Sequence, residues 1–349
     1  MRILILGASY GSLLSTKLLM AGHDVSLVCR AATATLINAE GTRVRLTFKG
    51  EDAARVISSV GQPGKLDAVV PAEVQPGDYD LVALAMQEPQ YSAGEVRDLM
   101  QRIAASGVPC LSIMNMPPLP YLRRIDALAG ADLDAAYDDA ELWSAFEPGL
   151  VTLCSPDPQA FRPPEEAANV LQVGLPTNFK TAVFASAAHN EMLRSLESDI
   201  AAVRLDDKDV PVKLRVFDSL FVPMAKWSML LTGNYRCVTR GDARAIRDAV
   251  HGDLDTARTV YAWVDNLART LGADAADQVP FEKYAKAAEQ LLKPSSAARA
   301  IDAGAERIER VDRLVQRVAA SVGQQSDIVD EVVATVDAKL AENRRAAAS

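Results

Sequence analysis

The chain has 349 residues, a formal net charge of −9 and a pI near 5.0. That balance excludes nucleic-acid or anionic-membrane binding driven by bulk charge, and no apolar run approaches the ~20 residues a membrane helix needs. Apolar residues make up 49% of the chain but aromatics only 5%, much of the remainder being alanine. This suits an α/β domain joined to a helical one, and the length is enough for both. Cys29, Cys110, Cys154 and Cys237 are far apart and form no CxxC pair, as expected of free thiols in a reducing cytoplasm. No secretory n-region precedes the first apolar run. His23, His189 and His251 are the only histidines, too few and too scattered for a histidine metal site or a Ser-His-Asp triad, so no metal is expected.

The first thirty residues organise the rest. Arg2 to Leu6 reads as an apolar strand, Gly7-Ala8-Ser9-Tyr10-Gly11 as a small-residue turn, and Ser12 to Ala21 as a helix. Gly22-His23-Asp24 ends that helix, and Val25 to Val28 forms a second strand. Strand, glycine turn, helix and strand in this order open a dinucleotide-binding fold. The N–H groups and partial positive charge of a helix N-terminus attract a pyrophosphate, and small residues let it reach the backbone. Gly7, Ala8, Ser9, Tyr10, Gly11 and Ser12 are therefore the candidate phosphate binders, with the amides of Ser9 to Ser12 as donors. The turn is irregular: it is one residue shorter than the usual G-x-G-x-x-G spacing, with Ser9 where glycine is expected. An ordinary strand–helix turn of another α/β protein stays open as the alternative. The second strand ends Val28-Cys29-Arg30, without the carboxylate that holds the ribose hydroxyls in NAD-binding versions. Arg30 can instead pair with a 2'-phosphate, which favours NADPH; a solvated arginine is the other option.

Val44 to Phe48 and Ala54 to Val60 alternate as strands do. Asp80 to Met86 is a continuous apolar strand of the kind buried in a parallel sheet. Gln87 to Tyr91 follows at its carboxyl end, the edge where open parallel sheets bind ligands. Glu95 to Ala104 reads as a helix and Cys110 to Met114 as a strand, with Asn115 just past its end before Pro117, Pro118 and Pro120. Val151 to Cys154 and Val170 to Val173 read as strands, separated by a Pro-rich surface excursion over Ser155 to Glu166. Phe179 to Ala188 and Glu191 to Glu197 look helical. The charged break at Asp206 to Asp209 divides the chain into a Rossmann-like domain, 1–208, and a helical domain, 209–349. From Leu214 onward the pattern is helical and alanine-rich.

Lys226 lies in an apolar setting beside Trp227, and Asn234 follows eight residues later, about 80° around a regular helix. A lysine there can snorkel from the helix or act chemically. Glu309 sits in a charged run whose ordinary role is an exposed ion-pair face. Ser295 and Ser296 follow Pro294, where a helix cap is the ordinary role.

Taken together, these pieces resemble the ketopantoate reductases over nearly the full length. The resemblance rests on Gly7 to Arg30, the strand ending in Gln87 and Gln90, Asn115, Lys226 with Asn234, and Ser295-Ser296 with Glu309. It implies an N-terminal NADPH-binding Rossmann domain, an all-α C-terminal domain, and an active site between them. It makes Lys226 the general acid that protonates a substrate carbonyl oxygen, with Asn115 orienting the nicotinamide end and the lysine. It gives Asn234, Ser296 and Glu309 to the substrate, with the serine ambiguous by one residue, and Gln87 and Gln90 to the cofactor. Arg236 and Arg240 are candidates for a substrate carboxylate on chemical grounds.

Departures from the family pattern are the shortened turn, Gln87 where a lysine is usual, Asn115-Met116-Pro117 in place of Asn-Gly, and Leu230 where a second asparagine is usual. The middle region is also longer than the family norm. A relative acting on a different carbonyl or imine compound is therefore expected, with ketopantoate reduction itself the lesser alternative. The competing classes are an opine-type or imine reductase, a secondary-alcohol dehydrogenase, and a non-catalytic NADP-binding sensor. A small-molecule substrate is the expected partner, and a homodimer is compatible with the resemblance.

Overall fold

The computed structural model describes residues 1–348. Two compact units are formed, one from residues 1–86, 90–121 and 141–218, the other from 87–89, 122–140 and Ser219 onward. All the strands belong to the first unit: β1 (Arg2–Leu6), β2 (Asp24–Val28), β3 (Arg43–Thr47), β4 (Ala54–Ser58), β5 (Leu66–Val69), β6 (Leu81–Leu84), β7 (Cys110–Ile113), β8 (Val151–Ser155), β9 (Gln159–Phe161), β10 (Val170–Leu175), β11 (Phe179–Ala182), β12 (Arg204–Leu205), β13 (Lys208–Asp209) and β14 (Leu214–Phe217). Its helices are α1 (Tyr10–Met20), α2 (Ala31–Glu40), α3 (Gly94–Ser106) and α6 (Ala187–Ala202); the short α4 (Leu119–Leu122) and α5 (Ala140–Ser144) stand where the chain leaves and re-enters it.

An eight-stranded sheet runs β14-β11-β8-β7-β6-β1-β2-β5, parallel throughout except where β11 meets β8. Its central strands are apolar without alternation because both faces are covered. Ile3, Leu4, Ile5 and Leu6 are each 0% exposed, and so are Val82, Ala83 and Leu84. The strand order reverses at β1, which has β2 on one side and β6 on the other. Such a switch point opens a crevice at the carboxyl ends of the strands. A second, four-stranded sheet runs β4-β3-β10-β9.

Three local expectations are corrected. Phe179 to Ala182 is a strand, not the start of a helix, because it pairs with β14 on one side and β8 on the other. Pairing with strands distant in sequence overrides the local helical pattern here. The excursion between β8 and β10 contains β9, which pairs antiparallel with β10. Leu214 to Phe217 is likewise strand, and the charged break at Asp206-Asp207 is the turn between β12 and β13, with both residues at positive φ. The compact units divide at Asp218/Ser219, beyond the 208/209 division drawn from the sequence, because β14 completes the large sheet.

The second unit is helical: α7 (Lys226–Met229), α8 (Ile246–His251), α9 (Leu254–Thr270), α10 (Phe281–Ala288), α11 (Ser296–Asp302), α12 (Val311–Ser321) and α13 (Asp327–Ala347). Asp253 and Ser326 cap α9 and α13 by accepting the amides of Thr256 and Val329. Among the described residues, no helix is long and apolar enough to cross a membrane.

Candidate functional site

In the first unit the glycine turn from Gly7 to Gly11 links the end of β1 to α1. Gly7 has φ +100°, and a Cβ there would lie 2.6 Å from the Ala85 carbonyl oxygen. A Cβ on Gly11 would lie 2.8 Å from Ile5 Cγ2. Both glycines are therefore required by close approach, the first by its backbone conformation as well. Ser9 is the N-cap residue of α1 without a side-chain capping bond, and no acidic residue occupies the first turn. The Ser12 amide is used within the turn, donating to the Ser9 carbonyl at 2.9 Å, and its hydroxyl donates to the Ala8 carbonyl at 2.6 Å. Of the four amides expected as phosphate donors, that of Ser12 is thus already engaged.

The Gly7 amide donates to the Val28 carbonyl at 3.1 Å, so the turn lies against the end of β2. Arg30 is exposed there as the N-cap residue of α2, whose first turn also lacks an acid. Burial raises the Cys29 thiol pKa, and the charges of Arg162 and Arg30 pull it back. Arg162 was not among the residues singled out from the sequence. It follows β9, is half-buried, and donates through Nη2 to the Ala8 carbonyl at 2.7 Å. No local pattern could have found it, since the contact spans 154 positions. Asn115 is half-buried two residues beyond β7, and Gln90 is exposed after β6. Tyr91 is fully buried against Trp143, 5.4 Å between ring centroids, and its hydroxyl oxygen accepts the Met86 amide at 2.9 Å. This fixes the chain at the carboxyl end of β6.

In the second unit, Lys226 opens α7 between a 3-10 turn (Pro223–Ala225) and a π turn (Leu230–Asn234). Trp227 is 1% exposed and anchors the helix, leaving Lys226 half-buried beside it. The π turn changes the expected phase. It holds one residue more than an α turn, which removes about 100° and leaves Asn234 about 20° from Lys226 rather than about 80°. The two residues therefore share a face. Gly233 is where the wide turn meets its neighbour: a Cβ would lie 2.0 Å from Tyr284 Oη, which donates to the Met229 carbonyl at 3.1 Å.

Ser295 Oγ donates to the Asn234 carbonyl at 2.7 Å and accepts the Ala298 amide as the cap of α11, whereas Ser296 is exposed. Ser295 is thus the serine that touches the asparagine. Arg236 is 8% exposed and makes no ion pair among the described residues; it donates to the Thr232 carbonyl at 3.3 Å. Burial, then the charge of Arg244, lowers its pKa, while Asp253 acts in the opposite sense. Arg240 is exposed.

Glu309 is buried rather than part of an exposed ion-pair face. The Glu88 amide donates to Glu309 Oε1 at 3.4 Å, so the Gln87–Pro89 turn and Glu309 lie together within this unit. Tyr235 donates its hydroxyl proton to the Glu309 carbonyl at 2.5 Å and accepts the Val311 amide at 3.0 Å, clamping the backbone on either side of Arg310. Burial first, then the nearby carboxylates of Asp312 and Glu309, raises this phenol well above its ordinary pKa. Glu88 is a further residue not singled out from the sequence; it is 2% exposed, and its carboxylate accepts the Asp138 amide at 3.1 Å.

An open, mostly parallel sheet with a glycine turn at its switch point, joined to a helical unit, defines the fold class as a Rossmann-type domain followed by an all-α domain. Among solved structures it is the fold of ketopantoate reductases. A protein from Ralstonia solanacearum MolK2, provisionally assigned as a ketopantoate reductase, matches with TM-score 0.69 and 18% identity over 98% of both chains. The 2-dehydropantoate 2-reductase of Methylococcus capsulatus matches with TM-score 0.68 and 14% identity over 98% of both chains. D-mandelate dehydrogenase, solved with NADH and anilino(oxo)acetate, matches with TM-score 0.65 and 16% identity over 99% of this chain and 100% of its own. No protein-family model and no curated protein matches the sequence.

Proposed function

We propose that the chain is an NADPH-dependent reductase of a small 2-oxo acid or related carbonyl compound, a divergent relative of the ketopantoate reductases. The phosphate turn at the switch point carries this proposal, on a chain whose fold matches those oxidoreductases from end to end. The glycine cradle at Gly7 and Gly11, and an α1 first turn without acidic residues, fit a pyrophosphate. Arg30, with no acid in the first turn of α2, fits a 2'-phosphate. A nicotinamide held by these residues would supply hydride for the carbonyl carbon.

The protein's part is to hold the carbonyl and manage the charge that grows on its oxygen. Lys226 is the candidate to donate its ammonium proton to that oxygen, and Asn115 is the candidate to orient the nicotinamide end. Glu309, Asn234 and either Ser296 or its buried neighbour Ser295, which bonds to Asn234, are candidates to position the substrate. Arg236, a buried guanidinium without an ion pair, suits the substrate carboxylate. The likeness to D-mandelate dehydrogenase favours a second direction for the same chemistry, oxidation of a 2-hydroxy acid.

NADPH consumption with a panel of 2-oxo acids, with and without amines, identifies the substrate; a requirement for amine assigns an imine reductase instead. With that substrate, Lys226→Met is expected to lower kcat by roughly 10²–10⁴ while leaving NADPH binding within a few-fold. Turnover near the wild-type rate would make Lys226 structural. Arg30→Ala is expected to weaken NADPH by about 1.5–3 kcal/mol and NADH far less. Equal losses would remove Arg30 from the 2'-phosphate site.

A further inference from the structure

Arg30 is not the only guanidinium at the end of β2. Arg162 arrives from β9, the edge strand of the four-stranded sheet, and is tied to the Ala8 carbonyl at 2.7 Å. Ala8 follows Gly7, whose amide is bonded to Val28, and Val28 leads directly into Cys29 and Arg30. The charges of both arginines act on the Cys29 thiol, and no carboxylate is felt there. Arg162 in turn has its pKa lowered by burial, with Cys29 opposing and Arg30 adding to the fall. Neither arginine forms an ion pair among the described residues. Arg162 is half-buried and Arg30 exposed; two like charges this close repel each other without a counter-ion, and an anion that joins them removes the repulsion.

We propose that Arg162 is a second arginine of the 2'-phosphate site, sharing that phosphate with Arg30. The proposal rests on the NADPH assignment above and adds to it a residue from the middle region of the chain. One N–H of Arg162 is spent on the Ala8 carbonyl, which leaves four of the five donors of a guanidinium. A phosphate monoester offers three acceptor oxygens and close to two negative charges, enough for two guanidinium forks. The N-terminus of α2, a ten-residue helix with Arg30 as its N-cap residue, adds partial positive charge at the same place. Because Arg162 is anchored on the phosphate turn itself, it orders that turn when the phosphate binds, and it compensates for a turn that is one residue short.

The test is titration of the full-length protein with NADPH, NADH and 2',5'-ADP, followed by protein fluorescence or calorimetry, for wild type, Arg30→Ala, Arg162→Ala and Arg162→Lys. Arg162→Ala is expected to weaken NADPH and 2',5'-ADP by roughly ten- to a hundredfold and NADH by less than about twofold. Arg162→Lys keeps the charge but loses the fork, and is expected to weaken NADPH several-fold, so the proposal stays testable if the alanine variant does not fold. Equal loss for NADPH and NADH would place Arg162 on the pyrophosphate, and no loss would leave it structural; either outcome overturns the proposal. If wild type prefers NADPH and Arg30→Ala abolishes that preference while both Arg162 variants keep it, only this inference falls. If wild type shows no preference for NADPH, the cofactor assignment falls and takes this inference with it.

Discussion

In the first compact unit Lys17 is 1% exposed, and its ammonium donates to one acceptor, the Val210 carbonyl, at 3.0 Å. In the second unit Asp312 is 0% exposed and accepts two hydrogen bonds from Arg310, at 2.8 and 2.9 Å, while Arg310 also reaches Asp337 at 2.5 Å. Among the described residues Lys17 is thus buried without a salt bridge and Asp312 with one. Burial pushes the Lys17 pKa down to about 7; Lys213 and Arg204 push the same way, and Asp209 opposes them. Arg310 moves the other way: its carboxylate partners outweigh desolvation and raise its pKa. Lys17 thus gives up its proton near neutrality, whereas Arg310, held by two carboxylates, keeps its own.

The largest effect should come from breaking the paired case. Arg310→Leu leaves Asp312 buried without its partner, and a loss of about 3–5 kcal/mol is expected in urea unfolding. Arg310→Leu combined with Asp312→Leu should recover most of it; failure to recover would mean that the guanidinium acts mainly through Asp337.

The unpaired case should respond in the opposite direction. The folded protein holds Lys17 at about 7, while the unfolded chain holds a lysine near ~10.4. Between these values the unfolded state binds the extra proton, so stability rises with pH across that window. Below it the folded state carries the full penalty of a buried charge. Lys17→Met should therefore stabilise the protein by roughly 2–4 kcal/mol at about pH 6, after allowing for the bond lost at Val210. The advantage should shrink as pH rises toward about 10. A difference that does not change with pH would mean that Lys17 stays charged when folded.

Smaller still is Gly233→Ala. A Cβ 2.0 Å from Tyr284 Oη must push that ring away from the π turn. A cost of about 1–3 kcal/mol is expected, and it should be reduced in a Tyr284→Phe background. Equal costs in the two backgrounds would show that the hydroxyl is not what the glycine makes room for.

The same contrast explains what was legible in the sequence. The strand–turn–helix–strand opening is local, and its glycines stand where a Cβ would strike Ala85 or Ile5, so residues 1–30 could be read directly. Phe179 to Ala182 could not, because its state depends on pairing with β14 and β8. The phase between Lys226 and Asn234 was misjudged for a different reason: the π turn is held by Tyr284, fifty-five positions beyond its bonding partner Met229. The cap role of Ser295 was legible from Pro294-Ser295, but its bond to the Asn234 carbonyl was not. Arg162 and Glu88 carry no signature of their own and gain meaning only from what they touch.

The discontinuity of the two units bears on how the gene can be cut. The chain crosses between them at 86/87, 89/90, 121/122, 140/141 and 218/219, so a single cleavage after Asp218 does not separate them. The N-terminal fragment would keep Leu122 to Ala140 but lose what that segment rests on: Arg317, which pairs with Asp132 at 2.7 Å, and Arg307, which pairs with Asp138 at 2.8 Å. Glu88 would lose the Glu309 carboxylate that accepts its amide. Leu128 and Leu133, each 1% exposed in the whole chain, would be left among the apolar surface bared by the cut. A fragment ending at Asp218 is therefore expected to come out of the cell as aggregate, and a dinucleotide-binding half that folds alone has to be made by replacing residues 122–140 with a short linker as well as by stopping the chain.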